Sequence, residues 1–300
     1  MDDPSKLEEA YGENYIRNSL LQEKVMDFLY ENATIKSQTT KEVSDTSTVK
    51  RQETEGASET EETETQSAEN ILAQGTCGEK LTWAVTESGT LMIDGEGDMS
   101  NYGYSETDLC PWYSYNQTIR EIQIGDQVTG IGDRAFRGLD KVTTLYLPKS
   151  VSRVGLLFAA MTGLREITVD ENNEYFQSVD GVLYTADGIS LVRYPQAKEG
   201  STYTIADHVT TIEAYAFYGC SLLKKIELPK DLEEIEKGTF VDCRGLTSMD
   251  IPSSVKVIEK EAFKNCSGLE TVVYHGETPE IAEDTFTGCD IMLYFIQETD

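Results

Sequence analysis

The sequence predicts a mainly β protein: a β-solenoid of 23-residue coils, closed at its front by a β-hairpin cap and preceded by one N-terminal helix. Three observations carry this. Phe217, Phe240, Phe263 and Phe286 stand 23 residues apart, a period that marks stacked supersecondary units. Three places after each comes a cysteine, Cys220, Cys243, Cys266 and Cys289. The next residues repeat Leu-x-x-Leu-x-Leu as Leu223, Ile226, Leu228, then Leu246, Met249, Ile251, then Leu269, Val272, Tyr274. One coil alone has no way to bury its apolar edge, whereas stacked coils share backbone hydrogen bonds about 4.8 Å apart and pile like side chains into columns.

Along the chain, the first element is the helix, assigned to residues 1–36. Tyr11, Tyr15, Ile16, Leu20, Leu21, Val25, Phe28 and Leu29 recur at steps of one, three and four, drawing one apolar stripe on a helical surface. From 37 to 74 the chain turns to Thr, Ser, Glu and Gln, with almost no large apolar residue between Val49 and Ile71. Ordering such a stretch has little burial to offset its entropy, so it is read as a disordered acidic linker. Residues 75–118 form the cap. Leu81, Trp83, Val85 and Leu91, Ile93 alternate as the two strands of a hairpin, placed where the open core edge of a terminal coil needs a cover.

Residues 119–300 hold six to seven coils. Ile119, Ile122, Ile124, then Val142, Leu145, Leu147, then Leu164, Ile167, Val169 obey the same pattern, and second apolar pairs such as Val128 with Ile131 and Val255 with Ile258 close the turns. One interruption stands out. Phe158 and Phe217 are 59 residues apart, and the extra segment, about 170–204, contains GVLYTADGISLVRYP, two apolar runs around Ala186, Asp187 and Gly188. That predicts a β-hairpin projecting from the stack.

Composition narrows the function. Acidic residues number 54 against 25 basic, a formal net charge of −29, with −10 on residues 1–75 and −19 on the remainder. A nucleic-acid partner would need a basic patch that the sequence lacks. No run of about 18 apolar residues occurs, so no membrane span is expected. Only two histidines, His208 and His275, are present, and none of the six cysteines forms Cys-x-x-Cys, so neither a nucleophile–base set nor a common zinc site can be assembled. Asp94, Glu96 and Asp98 mimic the start of a calcium loop, but its twelfth position is Ser105 rather than a bidentate acid. They read as a glycine-rich turn, and Asp170, Asn172 and Glu174 as a polar turn. No catalytic residue, metal or cofactor is expected.

The repeats IGDRAFRGL, AYAFYGCSLLKKIELP and GTFVDCRGLTSMDIPSSVKVIEKEAFKNCSGL, the GVLYTADGISLVRYP insertion and the cap from GTCGEKLTW to PWYSY together resemble the BspA-type leucine-rich repeat proteins of bacteria over about 75–295. The resemblance implies a leucine-rich-repeat solenoid on an exported or surface protein that binds a protein or glycan partner and serves in adhesion. The segment YGENYIRNSLLQEKVMDFLYENATI is similar to the C-terminal end of trigger factor, without its isomerase domain. The alternative it implies is the client-binding part of a trigger-factor-like chaperone fusion. The start MDDPSKLEEA lacks the basic stretch and apolar run of a signal peptide. The chain is therefore expected to be the tail of a longer fusion or a truncated frame, and the cytoplasm stays open beside the cell surface.

Binding in a stack of strands falls to the outward side chains. Here they would be Glu121, Thr144, Glu166, Lys225, Ser248, Thr271 in one column and Gln123, Tyr146, Thr168, Glu227, Asp250, Val273 in another. Tyr146, the aromatic anchor, with Glu227 and Asp250 are the candidate binding residues, for a macromolecular partner met by a monomer. Cys77 and Cys110 flank the cap hairpin and are the candidate disulfide if the chain is exported. The column cysteines are expected as buried free thiols.

Overall fold

The computed structural model describes residues 70–105 and 107–296, which lie in one compact unit, Glu69–Asp300. The helix expected in 1–36 and nearly all of the 37–74 linker fall outside the described residues. Among those residues there is no α-helix, only a 3-10 turn at Tyr113–Tyr115, and no helix long and apolar enough to cross a membrane. The fold is a β-solenoid of about seven coils on a repeat of about 23 residues.

The coils contribute a strand from the Leu-x-x-Leu-x-Leu segment and a second, mostly two-residue strand from the second apolar pair. In the first ladder Ser248–Ile251 pairs in parallel with Thr271–His275, which pairs in parallel with Met292–Ile296. Thr144–Leu147 pairs likewise with Glu166–Val169. The second ladder runs through Glu234–Ile235, Val257–Ile258 and Glu280–Ile281. Inward side chains alternate with outward ones, as the two-residue strand period requires.

The phenylalanines stack into a plug column, with ring centroids 5.4, 5.1 and 5.3 Å apart from Phe217 to Phe286. Beside them the thiols form a ladder. Cys243, Cys266 and Cys289 donate to the carbonyls of Phe217, Phe240 and Phe263 in the preceding coil, at 3.0, 3.0 and 2.9 Å. Two backbone positions flank each plug in the left-handed region. They are Tyr215 and Gly219, Gly238 and Asp242, Glu261 and Asn265 around the three plugs, again 23 apart.

That backbone signature corrects the phasing of the middle coils. Arg134 and Gly138 flank Phe136, and Leu157, 23 residues after Arg134, is left-handed too. Phe136 N bonds Phe158 O as Phe217 N bonds Thr239 O, one residue before the plug. The plug position of this coil is therefore Ala159, not Phe158. The next plug is Tyr194, 23 before Phe217, stacked on it at 5.2 Å and bonding Ala216 O through its backbone N–H. The irregular stretch thus ends at Tyr194.

The insertion does not project. Phe176–Val179, Val182–Thr185 and Ser190–Arg193 form an antiparallel meander whose last strand pairs in parallel with Thr211–Ile212, joining the stack. Its apolar residues are core: Leu183 and Leu191 are fully buried, and Tyr184 and Tyr194 are 6% and 2% exposed. A free-standing hairpin would leave these faces in water, at roughly 25 cal/mol per Å² of apolar surface. The turn that launches it is held by buried Asn173, which donates to Pro148 O and Val151 O and accepts from the Tyr175 and Phe176 amides.

The antiparallel sheet of the cap has three strands rather than two. Leu81–Thr86 and Thr90–Gly95 make the expected hairpin, and Ile71–Thr76 adds a strand antiparallel to Leu81–Thr86. Ordered strand thus starts four residues before the linker boundary read from the sequence. Thr90–Gly95 passes the sheet on to the coils by pairing in parallel with Glu121–Ile124.

Candidate binding surface

The outward columns are where the repeat places them. Glu121, Gln123, Thr144 and Tyr146 are exposed while Ile122, Ile124, Leu145 and Leu147 between them are buried. Pairing sets Thr144 beside Glu166 and Tyr146 beside Thr168, and farther along Asp250 beside Val273.

Tyr146 is 45% exposed. Its hydroxyl donates to Asp170 Oδ2 at 2.7 Å; that bond pushes its pKa up to about 12 and holds Asp170 below the usual carboxylate range. Asp170 also accepts from the backbone and side-chain nitrogens of Asn172, so the polar turn orients the ring. Glu227 pairs with Lys225 at 2.9 Å and accepts from Thr204 at 2.7 Å. Asp250 Oδ1 lies 3.6 Å from His275 Nε2. All three candidates carry exposed functional groups tied to neighbours on the same face.

The insertion divides this face. Glu166–Val169 precedes the insertion and Thr202–Thr204 follows it, and a turn of the insertion, not the next coil's strand, lies beside Ile167. The Asp180–Gly181 turn fills the place, where Gly181 O accepts from Ile167 N and Asp180 pairs with Lys198 at 3.0 Å. Tyr146 therefore belongs to one patch, and Glu227 with Asp250 to another. The sequence columns treated them as one strip.

The first patch is larger than the sequence columns made it. Gln74, Ala84 and Met92 share a face, as do Thr76, Thr82 and Asp94, and they line a groove of about 580 Å³. Met92 pairs with Gln123, so the groove continues the column that holds Tyr146. The signal was present in LTWAVT: with Leu81, Trp83 and Val85 inward, Thr82 and Ala84 had to face out. On the second patch Met292, 43% exposed, pairs with Thr271 and adds an apolar edge that the columns omitted.

Cys77 and Cys110, the candidate disulfide pair, are both buried in the cap core, here as free thiols. Burial pushes them up to about 11 and 12. The four column cysteines are also free. Among the described residues no three His, Cys, Asp or Glu gather as metal ligands. Asp98, from the calcium-like run, instead accepts from Thr129 and pairs with Arg153.

Comparison with known proteins now bears on the geometry. The BspA type leucine rich repeat region matches in six copies over residues 112–180 and 193–299. The chain belongs to this family. The match leaves out residues 1–111, so the resemblance of the first helix to trigger factor gains no support from it. Among solved structures, a leucine rich cell surface protein from Faecalibacterium prausnitzii is 25% identical with a TM-score of 0.50, over 67% of this chain and 60% of that one. A leucine-rich repeat protein from Eubacterium ventriosum is 22% identical, TM-score 0.38, over 70% and 73%. The pneumococcal vaccine antigen PcpA is 17% identical, TM-score 0.43, over 76% and 89%. A search of curated proteins gives no match. As a BspA-type repeat chain, it is an interaction module in general kind.

Proposed function

We propose that this chain is a non-enzymatic adhesion module of a bacterial surface or secreted protein, binding a protein or glycan through the outward faces of its stacked strands. The observation that carries the reading is the regular alternation on those strands: apolar residues buried in the core, and a polar row with an aromatic anchor at Tyr146 left exposed. Such a row offers area and a few anchors rather than a deep cavity, which suits a macromolecule. The surface location of the Faecalibacterium prausnitzii protein supports the same placement here. Two patches, around Tyr146 and around Glu227 and Asp250, make two contact areas on one partner. In the native host of the chain, brief protease treatment of intact cells should remove the solenoid; survival of a wholly protected intracellular pool would refute the surface placement.

A further inference from the structure

Backbone bonding between plug turns fails at one place. Elsewhere each turn bonds the next, as Gly138 N to Ala160 O and Tyr194 N to Ala216 O. Between the coil of Ala159 and that of Tyr194 no equivalent bond occurs among the described residues, and Arg153–Val154 is the edge of its sheet. The core splits at the same level, one cluster containing Ala159 and Leu183 and the other Val182 and Tyr194. The separation opens a cleft of about 360 Å³, walled by Val154, Leu157, Phe158, Phe176 and Val192, with Arg193 in its lining.

Arg193 is 2% exposed. Its Nη1 donates to Tyr215 O at 2.5 Å and its Nη2 to Ala159 O at 3.4 Å, and its guanidinium lies 5.9 Å from the Tyr218 ring centre. Its Nε has no hydrogen-bond partner. None of the ion pairs among the described residues includes Arg193, and Glu213, the acid in the cleft wall, does not reach it. In a chain of net charge −29, carboxylates are abundant, and a buried guanidinium is normally paired with one. A peg between coils would need the two carbonyls alone. The free Nε, the missing counter-charge and the adjoining apolar space ask for more.

We propose that this cleft binds a small monocarboxylate with an apolar body, its carboxylate reaching the Nε side of Arg193 through a side-chain shift that opens this buried atom to the cleft, and its body packed on the Phe158 and Phe176 wall. The volume falls within the usual range for small-molecule sites, about 300–1,000 Å³, and guanidinium presents a fork suited to a carboxylate. The site involves none of the outward residues, so it stands or falls apart from the adhesion reading.

The test is calorimetric titration of the whole chain with octanoate and 3-phenylpropanoate, beside their neutral amides octanamide and 3-phenylpropanamide. The carboxylates should bind saturably at one site, with the amides about tenfold weaker or more. Arg193→Gln should remove that preference. Because Arg193 also holds two carbonyls, a second variant, Ala214→Phe, blocks the cleft while keeping the arginine, and it should abolish binding with its melting temperature preserved. Equal binding of acids and amides, undiminished acid binding by Ala214→Phe, or no binding of either acid by the wild-type chain would overturn the proposal.

Discussion

At the scale of the residue, the plug column carries the largest stakes. Phe240 is fully buried between Phe217 and Phe263, so Phe240→Ala should lower stability by about 3–5 kcal/mol through lost burial and a cavity. Tyr146→Ala, which removes an exposed ring and one hydrogen bond, should cost about 1 kcal/mol or less. Urea unfolding of both variants checks this, and equal losses would mean the inward and outward sets are confused. The left-handed column yields a second expectation. Glu261 occupies at φ 60° the position that Gly238 fills one coil earlier, and left-handed backbone disfavours a side chain by about 1–2 kcal/mol. Glu261→Gly should therefore leave the melting temperature unchanged or raise it; a clear drop would mean that its ion pair with Lys264 outweighs the strain. The sequence showed the phenylalanines but hid their relatives. Tyr194 is 23 residues before Phe217, yet it is a tyrosine and its third neighbour is Ala197 instead of cysteine. At Ala159 the plug is a methyl group, and the adjacent Phe158 drew the phase one residue off.

At the scale of the element, coils with strict spacing were legible because the repeat is its own register: a slip of one residue would turn every inward side chain to water. The insertion was less so. Its hairpin could be read from turn residues and alternation, but whether a hairpin stands free or joins a sheet depends on long-range pairing, here Ser190 with Thr211 and Leu191 with Ile212. The first cap strand was hidden for a related reason, since Ile71 and Leu72 are exposed on an edge strand and follow a polar stretch. The thiol ladder gives this scale its prediction. Cys220 and Cys243 are buried and shifted upward by desolvation, Cys220 to about 12, so at pH 8 they are neutral and shielded from reagent. In the folded, reduced protein a thiol reagent should find Cys289, the half-buried member, well before the others, and all six only after unfolding. A count of four after unfolding of protein recovered from an oxidising compartment would establish the proposed Cys77–Cys110 bridge there. Rapid labelling of Cys243 in the folded state would contradict the ladder.

At the scale of the whole molecule, buried acids with raised pKa tie stability to pH. Burial pushes the thiols of Cys77, Cys110 and Cys220 up to about 11, 12 and 12 in the folded state, well above the ordinary thiol range. The unfolded chain releases these protons first as pH rises, so the folded state binds more protons and the slope of stability against pH is negative. Their contribution is complete below about pH 9 and is lost progressively toward pH 11 to 12. Melting temperature should fall between pH 8 and 10.5; a flat profile would mean the thiols are not buried. Charge acts at the same scale, since residues 76–300 carry −19 and should associate faster with a neutral or basic surface as salt falls. The outward face was legible in the alternation of Thr144 to Leu147, whereas its division was not, because the Asp180–Gly181 turn meets Ile167 only in three dimensions. The most direct test of the binding face is a titration of labelled chain on surface glycoproteins of epithelial cells at two salt concentrations. It would compare wild type with Tyr146→Ala and with Glu227→Gln combined with Asp250→Asn. Binding should be at least about tenfold weaker in one or both variants with melting temperatures within a few degrees of wild type; binding unchanged in both would contradict the assignment of the outward strand faces as the binding surface.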